Sequence, residues 1–363
     1  MSKNPNIKTC TLLTDEEALP GGCDFHSIPH SLLADWSMEN IEGMGIQLVM
    51  TTPDNFWDVA DETRVMIDRI LRYTDEVRKI HEAMEERGIP YVNDPTLMGI
   101  TSSKLQMHEI LKDTGIMIAE TILIKSFDDL RHFANQRMGE KIVLKPEYGS
   151  DGVDIYFIEV LGEDNVHIIW VEDKEGERKE KEYKGSLKRF FDENIVDKGK
   201  FGDKFTWVTQ DFIELIKCGG CTVDLRMVEQ RDGEGELRFT SAYARKAKGS
   251  VPLCNLGQGG KPLQIEKVLQ ETGVKIHGLR EFCRAADHEI EKHAKIGEIG
   301  HDIGITMQDR SPSLCYIEGN SMPGYTFQEW ESIRQGNASL SRSDEKLITM
   351  PLQYAAFLAH QKG

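Results

Sequence analysis

An apolar run, Ile142-Val143-Leu144, ends in Lys145-Pro146 and is followed by Gly149-Ser150-Asp151-Gly152. A strand that delivers a lysine to a small, flexible turn can hold a phosphate. Glycine lets backbone N–H groups approach closely, and the lysine adds a point charge. No Gly-Lys-Ser/Thr follows, so this is not a Walker A loop, and a plain strand and turn accounts for it as well. Further on, Glu318-Gly319-Asn320 places two oxygen donors at i and i+2, on one face of a strand. With Asp302 they make a hard-oxygen set suited to Mg²⁺, best when phosphate oxygens complete the octahedron. An exposed strand end explains Glu318 equally.

Three more stretches carry chemistry. Gln210-Asp211-Phe212-Ile213-Glu214 is an apolar strand opening into a connection, able to offer backbone groups to an adenine edge or simply to fill a core. Asp224-Leu225-Arg226 and Arg245, with Lys246 and Lys248, lie on two arms of a hairpin signalled by Asp232-Gly233-Glu234-Gly235. Positive charge gathered there in an acidic protein suits an anionic ligand, though each charge singly is a common surface residue. Asn255-Leu256-Gly257-Gln258-Gly259-Gly260 is a second glycine-rich loop that could cover phosphates or be merely flexible. Cys218-Gly-Gly-Cys221 has the spacing of a redox pair or half a metal site. No second pair at zinc-ribbon spacing exists, so a tight connection is the simpler reading.

The elements that must position these residues alternate between α and β. Ile7–Leu13 and Ile46–Met50 read as strands, with a turn at Pro20-Gly21-Gly22 between them. Val65, Ile70, Val77, Ile80 and Met84 predict one helix face, closed by Gly88 and Pro90. Ile89–Val92 reads as a short strand. Ser102 or Ser103 caps a helix that ends at Gly115 and has Lys104 at its start. The charged run Lys174–Lys184 reads as the solvated edge of a hairpin, and the wider segment Val160–Lys204 as a surface hairpin, with a peptide-docking role as the alternative. Ile276, Leu279, Cys283, Ala286 and Ile290 mark a long helix. His26 and His30 are spaced like a helical metal pair, but Pro29 lies between them.

The chain has 363 residues, 39% hydrophobic and 29% charged, enough for two or three domains of ordinary globular make-up. No apolar run approaches the roughly 20 residues of a membrane span. The N-terminus has no secretory h-region. A net charge of -17 argues against a general nucleic-acid binder while leaving room for a local basic pocket for phosphates, and seven scattered cysteines suit reduced thiols. These features predict a cytoplasmic protein with neither nucleic-acid nor membrane partners.

Taken in order, these features resemble the ATP-grasp superfamily from about Ile89 to Gly324. Within it they are most similar to the glutathione-synthetase and ribosomal-protein glutamate ligase branch. Phe212–Gly260 and Asp302-Ile303-Gly304-Ile305 are similar to the endospore-coat-associated ATP-grasp group. The resemblance implies a mixed α+β / α/β ATP-grasp fold with a smaller N-terminal α/β domain. The expected divisions are 1–100, 101–205 with a phosphate flap, and 206–363 with a Mg²⁺ site.

It further implies that Lys104 and Lys145 hold ATP phosphates under a flap of Gly149, Ser150 and Gly152. Gln210, Asp211, Phe212 and Ile213 would form the adenine hinge, Asp224 would meet the ribose, and Asn255 would close the loop. Asp302, Glu318 and Asn320 would hold two Mg²⁺ ions, with Mn²⁺ the alternative. Arg226 and Arg245 would stabilise the transferring phosphoryl group. The implied activity is an ADP-forming carboxylate–amine ligase acting through an acyl phosphate on an amino acid or peptide, as a homodimer by analogy. A non-catalytic ATP-binding regulator, a macrocyclase forming ester or amide cross-links, and a carboxylase-type enzyme are the competing readings. Two departures stand out. Asp154 occupies a place where many relatives have glycine. Asp302 and Glu318 are sixteen residues apart, which predicts a longer turn around Arg310–Ser313.

Overall fold

Strands β1 (Lys8–Thr14), β2 (Ile46–Thr51) and β3 (Thr63–Arg69) form a parallel sheet in the order β2-β1-β3. The computed structural model describes residues 7–14, 42–70, 74–149, 152–174, 177–202, 205–323 and 342–361. The turn at 20–22, Cys23, the His26/His30 pair, Ser150, Asp151, Gly176 and Gly324 lie outside them. Parallel strands are covered on both faces and so carry apolar residues at both parities. Val65, Met66 and Ile67 are all buried. This corrects the predicted helix face: Val65 belongs to β3 and Ile70 follows it. Helix α1 (Asp75–Glu86) starts only where Thr74 accepts a hydrogen bond from the Val77 amide. The Ile89–Val92 stretch runs alongside β3, tied on through Met66 by two backbone hydrogen bonds. Val77, Ile80 and Met84 cover one face of the sheet. Helix α8 (Arg342–Gln361) covers the other through Leu347, Leu352 and Ala355, so the two ends of the chain share a core.

Helices α2 (Pro95–Ser102) and α3 (Lys104–Leu111) follow. Asp94 caps α2 through the Thr96 amide, with Pro95 at its first position. Ser103 ends α2 and caps α3, which puts Lys104 in the first turn of α3.

The second sheet is antiparallel. It comprises β4 (Thr121–Ile124), β5 (Lys141–Pro146), β6 (Tyr156–Gly162), β7 (Asn165–Lys174), β8 (Glu177–Ser186) and β9 (Trp207–Asp211), in the order β4-β9-β5-β6-β7-β8. Helices α4 (Phe127–Asn135) and α5 (Leu187–Phe191) pack on it through Leu130, Phe133 and Phe190. The charged run lies mostly on β8, the edge strand, as its sequence predicts.

The third sheet contains β10 (Lys217–Cys218), β11 (Cys221–Arg231), β12 (Leu237–Lys246), β13 (Lys261–Leu263), β14 (Glu298–Gln308) and β15 (Ser311–Asn320). Its main path is β13-β12-β11-β14-β15, all antiparallel, with β10 paired to β11. Cys218 and Cys221 pair directly across a turn of Gly219 and Gly220, both with positive φ. Helices α6 (Ile265–Thr272) and α7 (Ile276–Ile290) cover one face through Val268, Leu279 and Cys283. The opposite face is left for polar residues. Among the described residues, no helix is long and apolar enough to cross a membrane.

Candidate active site

The polar face of the third sheet follows from strand periodicity. Asp224 and Arg226 on β11 point the same way. In register, Asp224 lies opposite Arg245 of β12, and Arg226 lies opposite Asp302 of β14. Asp302 in turn faces Glu318 of β15. The predicted long turn between Asp302 and Glu318 is not there. Asp309 and Arg310, both in left-handed conformation at φ 48° and 65°, make a two-residue turn between Gln308 and Ser311. The additional residues lengthen the ladder instead, and a bulge after Asp302 keeps the two carboxylates on one face.

All five of these side chains sit in or beside the wall of a cavity of about 470 Å³ between the second and third sheets. This lies within the roughly 300–1,000 Å³ usual for ligand pockets. Arg245 forks onto Asp224, with Nε 2.8 Å and Nη2 2.7 Å from its oxygens, and Nη2 also reaches Asp302 at 2.9 Å. Arg226 forks onto Asp302 through Nε and Nη2. Arg226 thus backs the cavity through Asp302 and does not line it. Each Asp224 oxygen accepts one bond from Arg245 and keeps a further lone pair, and Asp224 lines the cavity where a ribose hydroxyl could reach it.

From the second sheet, Lys145 at the end of β5 is buried and lines the cavity. Burial and the neighbouring Lys104 push its ammonium down to about 8, while Glu318 pulls the other way. Lys104 reaches over from α3 and donates to the carbonyls of Glu147 (3.2 Å) and Gly149 (2.9 Å). Burial lowers its pKa, opposed by Glu318 and Glu147. Ser103 anchors the same turn by donating to Glu147 Oε1 at 2.8 Å.

Two loops meet over the cavity. Gly152 has φ +72°, and a Cβ there would stand 3.0 Å from Leu253 Cδ1 and 3.1 Å from Asn255 Oδ1. Asp154, in the place of an expected glycine, also takes positive φ (57°). Lys200 Nζ holds both its oxygens, at 2.6 and 2.8 Å, which offsets the strain of that conformation. The loop carrying Asn255 is tied from outside by Glu180 of β8, which accepts from the Ser250 amide (2.8 Å) and hydroxyl (2.7 Å).

The predicted hinge residues Gln210, Asp211, Phe212 and Ile213 all line the cavity. Gln210 Nε2 donates to Thr121 Oγ1 at 2.6 Å. Asp211 is paired outward with Arg137. Phe212 meets Phe157 edge to face at 6.0 Å, and Lys141 Nζ lies 5.7 Å from its ring centroid. The cavity therefore joins Lys104, Lys145, Gly149, Gly152, the hinge, Asp224, Arg245, Asn255, Asp302 and Glu318. Asn320 lies on the same sheet face as Glu318 but outside the wall, and its amide nitrogen is buried without a partner. Lys141, Glu159, His167 and Glu214 also line the cavity and are not among the predicted ligands. Only Glu214 carries a signal, as the last residue of the hinge motif.

The donor chemistry fits a divalent cation at Asp302 and Glu318. Burial, then the facing Asp302, raises the Glu318 pKa, and Lys104 and Lys145 pull it down. The two arginines hold Asp302 well below the usual carboxylate range. A cation between the two carboxylates would relieve that crowding.

A small parallel sheet followed by two antiparallel sheets that clamp a cation-rich cavity defines the ATP-grasp fold. The chain belongs to the YheC/D like ATP-grasp family, whose sequence profile matches residues 88–358. No curated protein matches it by sequence. Among solved structures it is similar to the D-alanine–D-alanine ligase of Bacillus anthracis. That likeness has 14% identity and a TM-score of 0.56, over 98% of this chain and 100% of that one. The same ligase complexed with ATP matches at 14% identity and TM-score 0.52, again over 98% and 100%. A D-cycloserine synthetase matches at 13% identity and TM-score 0.56, over 98% and 100%.

Proposed function

We propose that the protein is an ATP-dependent carboxylate–amine ligase that forms an amide through an acyl phosphate, releasing ADP and phosphate. The observation that carries this is the pairing of Asp302 with Glu318 on a wall shared with Lys145, Lys104 and Arg245. Four cationic side chains, counting Arg226, face three carboxylates. A nucleotide pocket needs only some of these charges, whereas phosphoryl transfer uses them all.

In this reading the hinge at 210–213 holds the adenine, and Lys104 and Lys145 hold the phosphates. Asp302 and Glu318 would hold Mg²⁺, with Asn320 two residues further along the strand. The metal would supply charge neutralisation. Arg245 neutralises charge on the transferring group as a substrate carboxylate attacks the γ-phosphorus in line, and Arg226 holds Asp302 in place behind the wall. Gly152 and the 249–260 loop, which meet over the cavity, exclude water, which would otherwise hydrolyse the acyl phosphate before an amine reaches it. The substrates are an amino acid or a peptide. The solved neighbours named above, a D-alanine–D-alanine ligase and a D-cycloserine synthetase, support ligation chemistry on this fold and leave the substrate pair open.

The test is a screen of amino acids and peptides for ADP formation, with mass spectrometry of the products. Substrate-dependent ADP release with a condensed product supports the ligase. Tight ATP binding with no turnover for any pair favours a regulator. A Glu318→Ala variant with full activity would sink the metal assignment.

A further inference from the structure

Behind the polar wall, on the side facing α7, lies a second group of ionisable residues that the ligase chemistry does not use. His301 directly precedes Asp302 on β14, and strand alternation turns its ring away from the cavity. Glu229 of β11 projects from the same face, because Glu229 pairs with Ile299 and Met227 with His301. Helix α7 adds Cys283 and, one turn later, Asp287. All four side chains are buried.

The ligand atoms of Glu229, Cys283 and His301 lie within 4.8 Å of one another. His301 Nε2 also lies 3.0 Å from Asp287 Oδ1 and 3.6 Å from Glu229 Oε2. Both are ion pairs when the ring is protonated, and neither has hydrogen-bond geometry. Glu229 Oε2, both Asp287 oxygens and His301 Nε2 are buried without a hydrogen-bond partner. Orphaned buried acceptors are costly and rare. Here Asp287 Oδ1 and Glu229 Oε2 converge on one imidazole nitrogen, with the Cys283 thiol within 4.8 Å of the Glu229 and His301 ligand atoms. The other ring nitrogen, Nδ1, is 3.0 Å from Tyr316 Oη. Against the cost of burial, Asp287 and Glu229 favour the protonated ring in the metal-free protein. A cation that displaces the Nε2 proton, with the Nδ1 proton directed at Tyr316, would meet the Nε2 lone pair, the arrangement that orients metal-bound histidines.

We propose that Glu229, Cys283 and His301, with Asp287 beside them, form a buried site for one borderline-soft divalent cation, zinc foremost. A thiolate, an imidazole and a carboxylate are a zinc donor set, and Asp287 supplies the fourth ligand. Ligand atoms around tetrahedral zinc stand about 3.3–3.8 Å apart, so the cluster needs to draw in by about 1 Å. On binding, the Cys283 thiol gives its proton to solvent and its sulfur lone pair to the metal, with no change of oxidation state. The ion would pin α7 to β11 and β14, one residue from Asp302, and so stiffen the catalytic wall from behind.

The test uses the full chain, produced in zinc-supplemented medium, exchanged into Mg²⁺ buffer and measured by elemental mass spectrometry. The expected result is about one zinc per chain. Protein reloaded with Co²⁺ should show a thiolate-to-cobalt absorption band. That band should be lost in Cys283→Ser and kept in Cys218→Ser and Cys221→Ser. Folded wild-type protein that holds no zinc and gives no cobalt–thiolate band overturns the site, leaving a proton-sharing cluster. A band that survives Cys283→Ser and disappears with Cys221→Ser overturns it equally, in favour of the Cys218–Cys221 hairpin.

Discussion

Arg226 forks onto both carboxylate oxygens of Asp302 across the β11–β14 ladder, and Arg245 reaches the same carboxylate from β12. One buried aspartate thus holds two guanidiniums in place while facing Glu318 on its other side. Asp302→Asn keeps the shape and removes the charge. Arg226 then loses its charged partner, at about 3–5 kcal/mol for a broken buried pair, while Arg245 keeps Asp224. We expect a clear fall in thermal melting temperature together with loss of ADP formation. Nucleotide binding in the variant should no longer strengthen as Mg²⁺ is titrated, a readout that structural damage alone does not produce.

Lys145 makes nucleotide affinity depend on pH. Its ammonium is pushed down to about 8 in the free protein, mainly by burial. Phosphates favour the charged form and raise that value in the complex, so binding takes up a proton. Affinity should therefore fall as pH rises through about 8, measured by calorimetry in buffers of different ionisation enthalpy. Lys145→Met should bind more weakly and lose this dependence. The same shift acts on folding with the opposite sign. The unfolded lysine keeps its proton up to about 10.4, so between about 8 and 10.4 the unfolded state binds more protons and this residue's contribution to stability rises with pH.

Much of this site is legible in the sequence, because its signals are local. The run ending in Lys145, the glycines of both loops and the hinge each occupy a few consecutive residues. What the sequence does not carry is pairing between distant strands. Nothing local says that Asp224 faces Arg245 or that Arg226 is spent on Asp302. Nor does spacing alone separate a long turn from a long ladder with a bulge, so the tight turn at Asp309 and Arg310 leaves no local trace. Val65 reads as helical for a related reason. A buried parallel strand followed by an amphipathic helix reproduces a helical period across their junction. Asp94-Pro95, by contrast, is a plain helix-start signal, and α2 begins there.

Gly152 tests the contact between the two loops. Alanine there adds a Cβ 3.1 Å from Asn255 Oδ1 and 3.2 Å from Gln258 Cγ, at φ +72°. Gly139 has φ +83°, and a Cβ on it would meet nothing within 4 Å, so Gly139→Ala carries the backbone strain without the contact. Each change should cost about 1 kcal/mol of stability from the left-handed backbone. Only Gly152→Ala should also speed nucleotide release, measured by stopped-flow with a fluorescent ATP analogue. Equal release rates in the two variants would mean that the loops do not close over the nucleotide.

Glu180 holds the same lid from the far side. Its carboxylate accepts from the Ser250 hydroxyl and amide, and the hydroxyl first, then the backbone amides, hold its pKa down against burial. They join the edge strand β8 to the 249–255 stretch of the cavity wall. Glu180 is exposed, so its contribution to global stability is small, within about 1 kcal/mol. Its effect should instead be kinetic. Glu180→Ala should leave the melting temperature nearly unchanged while raising the nucleotide dissociation rate several-fold. Glu180→Gln should recover part of the effect, because an amide oxygen still accepts from Ser250. Below the ordinary carboxylate range the wild type should approach the alanine variant, as protonation weakens both contacts. A Glu180→Ala release rate equal to wild type at neutral pH would show that β8 plays no part in closing the site.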